Sequence, residues 1–207
     1  MTLSNSKDPS GKDVDNLWER LRNGERKALD LLFRRFYDEL FAYAYKIVPD
    51  EDLVKDSIQE LFLELWRTKD RINKATSVNA YLLVSVRRIV LRSLEKERNR
   101  YKRNLTFVEN LFEKDFTLNQ LEIEEGEDES KKKEILRVLN RLNAKQKETI
   151  YLRYYHGLSN AEIAEVMDIN YQSVKNNLSR AIKSLRVIVK SSADMMFLIS
   201  LIKQIST

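Results

Sequence analysis

The sequence predicts an all-α protein made of two small helical domains that are joined by a flexible acidic linker. Only four glycines and two prolines occur in 207 residues, which leaves few points where helices would be interrupted. Apolar residues recur every three or four positions over most of the chain, the spacing that gives a helix one buried face. The predicted segments are a first domain at 13–100, a linker at 101–130, a second domain at 131–190 and an apolar C-terminal tail at 191–207.

Four helices are predicted in the first domain. They cover residues 13–23, 28–46, 52–68 and 79–98, with a loop at 69–78 where the periodicity is lost. Gly24 ends the first helix and Pro49 breaks the chain after the second, because neither residue continues a helix without cost. The fourth helix starts apolar and ends strongly basic.

The second domain is predicted to end in a helix-turn-helix. Two amphipathic helices at 132–142 and 145–155 come first. Ser159 and Glu162 then have capping-box spacing, in which the hydroxyl and the carboxylate satisfy backbone donors at a helix start. Asp-Ile-Asn at 168–170 interrupts this short helix and supplies a good cap for the next one.

The last helix of this motif carries donors and cations opposite its apolar stripe. A rotation of about 100° per residue brings the polar side chains onto one face. They are Gln172, Lys175, Asn176, Ser179, Lys183 and Arg186. No acid interrupts this face and the preceding helix is short and capped, which is typical of a helix that enters a DNA groove. An ordinary solvated helix surface is the alternative interpretation.

Charge is distributed unevenly along the chain, although the net charge is only +5. Residues 87–103 contain eight Lys and Arg against two acids, whereas residues 122–129 contain six acids and no base. Residues 131–190 are again basic, with thirteen Lys and Arg against five acids. Basic clusters attract phosphates through counterion release, which favours nucleic-acid binding, but such runs are also common on solvated faces.

The sequence argues against an enzyme. The chain has no cysteine, which excludes disulfides, thiolate nucleophiles and zinc-thiolate sites. Its single histidine, His156, lies beside Gly157 without metal-ligand spacing or a nearby nucleophile, and no phosphate-binding glycine loop is present. We therefore expect neither catalytic activity nor a cofactor, and a nucleic-acid hydrolase remains only as a distant alternative.

The N-terminal segment and the tail bear on location. The N-terminus is polar and lacks the apolar core of a secretory signal, and no stretch is as long as a membrane span, so we expect a cytoplasmic protein. The apolar run at 195–202 is too short to cross a bilayer. It is expected to pack as a final helix on the domain or on a partner, with membrane contact as the alternative.

Several motifs together resemble a known family. The segment VKDSIQELFLELW resembles the signature helix of bacterial RNA polymerase sigma factors, with matches at Asp56, Gln59, Glu60, Phe62 and Trp66. AYLLVSVRRIVLRSLEKERNR resembles the promoter-melting helix that follows it, and the sequence from LNRLNAKQ to KSLR resembles the family's C-terminal DNA-binding domain. The short linker between the second and fourth regions resembles the extracytoplasmic-function (ECF) group.

The resemblance implies a polymerase-binding surface on the third helix. Asp56, Gln59, Glu60 and Leu63 share one face by their three- and four-residue spacing, beside apolar residues on the core side. In the family this acidic, hydrogen-bonding ridge docks on the coiled coil of the largest polymerase subunit. A solvated acidic face is the alternative.

The resemblance also implies that the fourth helix and the loop at 73–79 capture the non-template strand of the minus-10 element and flip a base. The implied residues are Ser77, Asn79, Tyr81, Arg87, Arg88 and Arg92. Cations beside an aromatic ring suit unpaired bases, although Tyr81 could equally belong to the core. The family typically has Trp, Asn and Asp where this chain has Tyr81, Arg88 and Arg92. We expect promoter melting, but these departures mean that the family's base preference at the minus-10 element does not transfer to this chain.

The resemblance assigns minus-35 recognition to the last helix. The implied residues are Tyr171, Gln172, Lys175, Asn176, Ser179, Arg180 and Lys183. A lysine can donate to guanine and an asparagine can pair with adenine in the major groove. The expected partners are core RNA polymerase, promoter DNA and an anti-sigma factor. A stand-alone transcriptional regulator is the alternative, but it would have no use for the acidic ridge on the third helix.

Overall fold

The computed structural model describes residues 11–72, 75–101, 112 and 137–185, and every regular element in this part of the chain is helical. The elements are α1 (Gly11–Arg22), α2 (Arg26–Ile47), α3 (Glu51–Thr68), a 3-10 turn (Lys69–Arg71), α4 (Val78–Tyr101), α5 (Ala144–Tyr154), α6 (Asn160–Met167) and α7 (Tyr171–Leu185). Residues 137–141 are also helical. The predicted all-α class is confirmed. The predicted tail, and the predicted linker apart from residues 101 and 112, lie outside the described residues.

A glycine and a capping aspartate set helix ends in the first half of the chain. Gly24 has φ +84°, a left-handed conformation that costs glycine little, and it closes α1 as predicted. Arg20 donates from two nitrogens to the Glu25 carboxylate across this turn, at 2.7 and 2.5 Å. After Pro49, the Asp50 side chain accepts a hydrogen bond from the Leu53 amide at 3.1 Å and caps α3.

The predicted loop at 69–78 is shorter in the structure. Lys69–Arg71 form a 3-10 turn, and α4 already begins at Val78. The hydroxyl of Ser77 accepts a hydrogen bond from the Ala80 amide at 3.2 Å, which caps the start of α4. Arg22 donates to the Ile72 carbonyl at 2.8 Å and ties the turn to α1. The predicted loop was too long because capping by a single serine is a weaker sequence signal than periodicity.

The core of the first domain lies between four helices. α2 packs against α1, α3 and α4, and α3 packs along α4. Leu32 and Leu40 of α2, Ile58 and Leu65 of α3, and Leu82 of α4 are buried at this centre. Burying each of these side chains contributes about 1.5–3 kcal/mol. The packing therefore holds α3 and α4 side by side as a rigid pair.

The second domain contains the predicted helix-turn-helix, α6 and α7. The capping box predicted from Ser159 and Glu162 is present, with both reciprocal hydrogen bonds. Asp168 ends α6 in the left-handed conformation at φ 52°, and the Asn170 side chain accepts from the Ser173 amide at 2.7 Å to start α7. A second capping box, in which Asn143 is the cap, begins α5. These caps define where α5, α6 and α7 begin and where α6 ends.

α5 supports the helix-turn-helix from behind. α5 packs on α7, and the Asn177 side chain of α7 donates to the Thr149 hydroxyl of α5 at 3.4 Å. Arg153 of α5 donates to the Leu158 carbonyl at 2.8 Å and anchors the turn that leads into α6. The recognition helix is thus held at its inner face by a second helix, and its outer face stays free.

The two domains are in direct contact. α6 packs against α4, so the helix-turn-helix lies over the fourth helix of the first domain. Phe112, from the segment between the domains, is buried and has a φ of 75°. Its ring contacts the rings of both Tyr43 of α2 and Tyr151 of α5, with centroid distances of 6.3 and 5.5 Å. This contact brings together residues that are more than a hundred positions apart in the sequence.

Candidate functional site

One face of α3 is exposed and carries four of the residues that the sequence predicted to be functional. This α3 ridge consists of Asp56, Gln59, Glu60 and Leu63. Leu63 has 56% of its surface exposed. The other side of the same helix buries Ile58, Leu61 and Leu65, which fixes the orientation of the ridge. An exposed leucine beside carboxylates and an amide suits a partner that is partly apolar and basic.

The fourth helix presents three of its predicted residues to solvent. Tyr81 is 37% exposed and its ring meets Trp18 of α1 edge-on, with centroids 5.1 Å apart. Partial burial raises the pKa of Tyr81. Tyr81 therefore fits both interpretations, as a core residue and as a stacking residue, because one edge of its ring packs on Trp18 and the rest is partly exposed. Arg88 is exposed, and so is Arg92, whose guanidinium pairs with Glu60 of the α3 ridge.

The start of α4 faces the second domain instead of open solvent. The Ser77 hydroxyl caps α4 and lies near the Glu162 carboxylate of α6. Burial acts to raise the pKa of Glu162, but hydrogen bonding with Ser159 and the nearby Ser77 hydroxyl outweighs it and lowers the pKa. Asn79 is half-buried nearby, and its Oδ1 atom has no hydrogen-bond partner among the described residues.

Arg87 differs most from what its position in the sequence suggested. It does not lie on an open basic face beside Arg88, because it is directed into the contact between the domains. Its Nε atom donates to Oε1 of Glu148 at 3.0 Å, and the two side chains are only 14% and 4% exposed. The Tyr43 hydroxyl donates to the same oxygen at 2.7 Å. We call Tyr43, Arg87 and Glu148 the interdomain cluster.

Electrostatics within the interdomain cluster stabilise the charged arginine. Burial acts to lower the pKa of Arg87, but the Glu148 carboxylate outweighs it and the pKa is raised. Burial and the same carboxylate raise the pKa of the Tyr43 hydroxyl, which remains a neutral donor. A buried carboxylate with a cation and a hydroxyl on one oxygen is a satisfied arrangement that neither domain could make alone.

An aromatic cluster surrounds the interdomain cluster. It consists of Tyr43, Phe112, Tyr151, Tyr155 and His156. The rings of Tyr43 and Tyr151 are nearly parallel, with centroids 6.2 Å apart, although they belong to different domains. His156 meets Tyr43, Tyr151 and Tyr155 edge-on. Burial lowers the pKa of His156 to about 3, so the ring is neutral and acts as a packing residue.

α7 presents the predicted recognition face to solvent. Its inner side buries Val174, Leu178, Ala181 and Leu185. The exposed side chains are Tyr171, Gln172, Lys175, Asn176, Ser179, Arg180 and Lys183. Gln172 donates to the Asn176 side chain at 3.1 Å, which holds two amides side by side. Arg186 lies outside the described residues. The face is free of acids and long enough to line a major groove.

The described residues do not form a metal or membrane site. Among residues 11–72, 75–101, 112 and 137–185, no cluster of His, Asp and Glu is arranged to hold a metal ion. In the same ranges no helix combines the length and the apolar character needed to cross a bilayer.

Comparison with known protein families agrees with these surfaces. The family described as Sigma-70 region 2 matches residues 32–100, which carry the α3 ridge and most of α4. Sigma-70 region 4 matches residues 132–185, which carry the helix-turn-helix. The chain belongs to the ECF group of RNA polymerase sigma factors. Its two matched regions follow each other directly in the order expected for this group.

Similar proteins extend the match beyond the two regions. The sigma factor is 25% identical over 180 residues to the ECF RNA polymerase sigma factor SigK of Mycobacterium bovis, covering 84% of this chain and 92% of the relative. It is 28% identical to the ECF RNA polymerase sigma factor BldN of Streptomyces coelicolor, covering 86% of this chain and 66% of the relative. CnrH, solved in complex with the cytosolic domain of CnrY, has a similar fold, with 18% identity and a TM-score of 0.50. The match covers 86% of this chain and 97% of CnrH.

The sequence did not point to the residues that join the domains of this sigma factor. Tyr43 and Glu148 lie in predicted amphipathic helices, and Phe112 lies in the predicted linker. Glu148 alone gave a faint signal, because it is an acid next to the apolar residues Ile150 and Tyr151 of α5 and is buried with them. Its partner Arg87 is 61 residues away, a separation at which no local pattern can indicate pairing.

Proposed function

We propose that this sigma factor directs promoter-specific initiation through three surfaces, each of which serves a different partner. The α3 ridge binds core polymerase, α4 with its preceding loop binds the opened minus-10 element, and α7 binds the duplex minus-35 element. The observation that carries this proposal is the presence on one chain of an exposed carboxylate ridge and an exposed, acid-free donor face. The polymerase supplies the chemistry, and this chain contributes no catalytic group.

The polymerase-binding role rests on Asp56, Gln59, Glu60 and Leu63. All four are exposed on one side of a helix whose other side is fixed in the core. Carboxylates around an exposed leucine give a charged rim around an apolar contact, an arrangement that speeds association and then holds the complex. A stand-alone regulator would have no need for this surface.

The minus-10 role rests on side chains that combine charge with a ring. Tyr81 offers an open ring edge for stacking, and Arg88 and Arg92 offer cations along the same helix. Ser77, Asn79 and Arg87 complete the proposed set, although in this conformation they contact or adjoin the second domain. With arginine at positions 88 and 92, phosphate contact is expected to contribute more and base-specific hydrogen bonding less.

The minus-35 role rests on the exposed face of α7. Lys175 and Asn176 lie near its N-terminal end, where helix-turn-helix proteins contact base edges. Ser179, Arg180 and Lys183 follow along the helix and suit phosphate contacts, while Tyr171 and Gln172 lie at its start. The proposed division of the chain places these residues in a second domain at 131–190 and the other two surfaces in a first domain at 13–100.

Two further features follow from this role. The sigma factor is expected to act in the cytoplasm, where polymerase and chromosome are found. We also propose control by an anti-sigma factor, since CnrH was solved with the cytosolic domain of CnrY.

In vitro transcription tests the function directly. The purified chain is combined with core polymerase that lacks any initiation subunit, on fragments of the source genome. Sequence-specific transcripts from a shared promoter motif are expected, and co-purification with core polymerase is expected in parallel. A chain that binds duplex DNA but never associates with core polymerase would be a stand-alone regulator instead.

A further inference from the structure

We propose that the interdomain cluster of Tyr43, Arg87 and Glu148 is a latch, in which the Glu148 carboxylate occupies Arg87 in the position that a DNA phosphate takes during promoter binding. The closed form and the promoter-bound form then exclude each other. This inference rests on the proposed role of Arg87 in minus-10 binding, and it adds a means of regulating that site.

In the latch, a DNA phosphate oxygen could replace the Glu148 carboxylate oxygen as the acceptor for Arg87. Arg87 donates to a single carboxylate oxygen of Glu148 at 3.0 Å, and its side chain is 14% exposed. Carboxylate and phosphate oxygens are both preferred acceptors for a guanidinium, so one can replace the other without changing the arginine. Glu148 belongs to the second domain, and movement of that domain removes the competing anion.

A second contact covers the same DNA-binding helix. The Glu162 carboxylate of α6 lies near the Ser77 hydroxyl at the start of α4, so carboxylates of the second domain lie against two proposed minus-10 residues. α6 itself packs along α4. Entry of a negatively charged strand beside Ser77 and Arg87 therefore requires the second domain to move away.

The distance between the two promoter elements also requires the domains to separate. Elements centred about 25 base pairs apart lie roughly 85 Å apart on a B-form duplex. In this structure α4 packs on α6, and α6 packs on α7. Two successive helix-packing distances place α7 on the order of 20 Å from α4. The conformation described here cannot contact both elements at once, so it corresponds to the chain before promoter binding.

Three polar atoms are buried near this contact. Oδ1 of Asn79, Oδ1 of Asn160 and Nε2 of His156 are buried without a hydrogen-bond partner among the described residues. Asn79 follows Ser77 closely in the sequence, and Asn160 closely precedes Glu162. His156 is in the aromatic cluster. Buried polar groups in folded proteins usually bond to protein or to ordered water. Separation of the domains would return these three atoms to water.

The opening of the latch can be measured by energy transfer in the full chain. The sequence has no cysteine, so Asp30→Cys and Ser184→Cys place one dye on an exposed position of each domain. In this labelled chain, Glu148→Gln is expected to raise the open-to-closed ratio at least about tenfold, as expected for the loss of a buried ion pair. Tyr43→Phe, which removes only the hydroxyl, is expected to have a smaller effect in the same direction. Glu165→Gln, an exposed acid on α6, is the matched control and should change nothing.

DNA binding separates a latch from a purely structural ion pair. A mixed-sequence single-stranded oligonucleotide is titrated into the free chain. Glu148→Gln is expected to bind it more tightly because Arg87 becomes available, whereas Arg87→Gln should open the chain without this gain. The exchanged pair Arg87→Glu with Glu148→Arg should close the chain again and bind DNA weakly.

Two results would overturn the latch. One is unchanged energy transfer in Glu148→Gln, Tyr43→Phe and Arg87→Gln, and the other is opening in Glu148→Gln without tighter DNA binding. Circular dichroism checks that Glu148→Gln still folds. If it does not, energy transfer in Tyr43→Phe and Arg87→Gln tests the latch instead. Transcription by the unchanged chain with core polymerase is measured alongside, so that failure of the latch is distinguished from failure of the proposed function.

Discussion

The guanidinium of Arg92 and the carboxylate of Glu60 lie 2.6 Å apart, and their side chains are 60% and 49% exposed. Arg92 belongs to the proposed minus-10 surface on α4, and Glu60 belongs to the α3 ridge. The rigid packing of α3 along α4 makes this pairing possible. A surface for one partner is thus in direct contact with a surface for another.

This pair is expected to contribute little to stability. Exposed ion pairs contribute about 0.2–1 kcal/mol because water and salt screen them. A double-mutant cycle of Arg92→Ala and Glu60→Ala, measured by urea unfolding, should give a coupling energy in that range. A coupling above about 2 kcal/mol would mean that the pair is protected from solvent, contrary to the exposures found here.

Charge reversal on the α3 ridge should weaken polymerase binding selectively. Asp56→Lys with Glu60→Lys is expected to weaken affinity for core polymerase by at least about tenfold, because like charges would face a basic partner. Binding of the variant to duplex promoter DNA should change far less. The control reverses two exposed acids elsewhere, Asp30→Lys with Glu165→Lys. Equal loss of polymerase binding in both double variants would contradict the assignment.

Loss of Lys175 should affect duplex promoters first. Lys175→Ala is expected to weaken binding to a duplex carrying the minus-35 element by about 1–3 kcal/mol if the lysine contacts a base. Binding to core polymerase should be unaffected. Lys27→Ala removes an equally exposed cation from the first domain and serves as the control. Fluorescence anisotropy at fixed salt measures both variants, and a similar DNA defect in Lys27→Ala would argue against a specific contact.

The capping box at the start of α6 should stabilise the second domain measurably. Ser159 accepts from the Glu162 amide at 3.3 Å, and Glu162 accepts from the Ser159 amide at 2.7 Å. Ser159→Ala is expected to lower the free energy of unfolding by about 1 kcal/mol. Ser184→Ala removes an exposed hydroxyl late in α7 and should cost less than about 0.5 kcal/mol. Chemical denaturation followed by circular dichroism compares the two.

His156 should make the folded protein less stable in mild acid. Its pKa is about 3 in this structure, against about 6.5 for an unfolded chain. Below pH 6.5 the unfolded chain binds a proton that the folded chain does not, so stability falls as pH falls. The expected loss from this residue is roughly 1.3 kcal/mol between pH 7 and 5.5.

The control for this pH dependence is His156→Phe, which keeps an aromatic ring in the cluster and removes the titrating group. The groups facing His156 are the rings of Tyr43, Tyr151 and Tyr155, which do not titrate in this range. His156 is also the single histidine of the chain. Urea unfolding measures the free energy of unfolding of both proteins at pH 7 and pH 5.5. The unchanged protein should lose roughly 1.3 kcal/mol more than His156→Phe over this range. An equal loss in both proteins would show that His156 is not the cause.

Much of the fold could be predicted because its signals are local. The capping box at Ser159, the break at Asp168 and the glycine stop at Gly24 each depend on residues within one turn of each other. The exposure of the α3 ridge and of the α7 face was also predictable, since helical periodicity assigns each side chain to a buried or an open face. The length of the loop before α4 was not, because its end depends on a single serine cap and on a contact with Arg22.

The sequence by itself determined the all-helical class, the helix-turn-helix and the family, because these depend on composition, periodicity and motifs read in order along the chain. Only the tertiary structure decided that Arg87 faces Glu148 and Tyr43 instead of solvent. A helical face that is free within its own domain can still be covered by another domain, and such pairing depends on where two rigid bodies meet in space. No periodicity within either segment encodes that meeting.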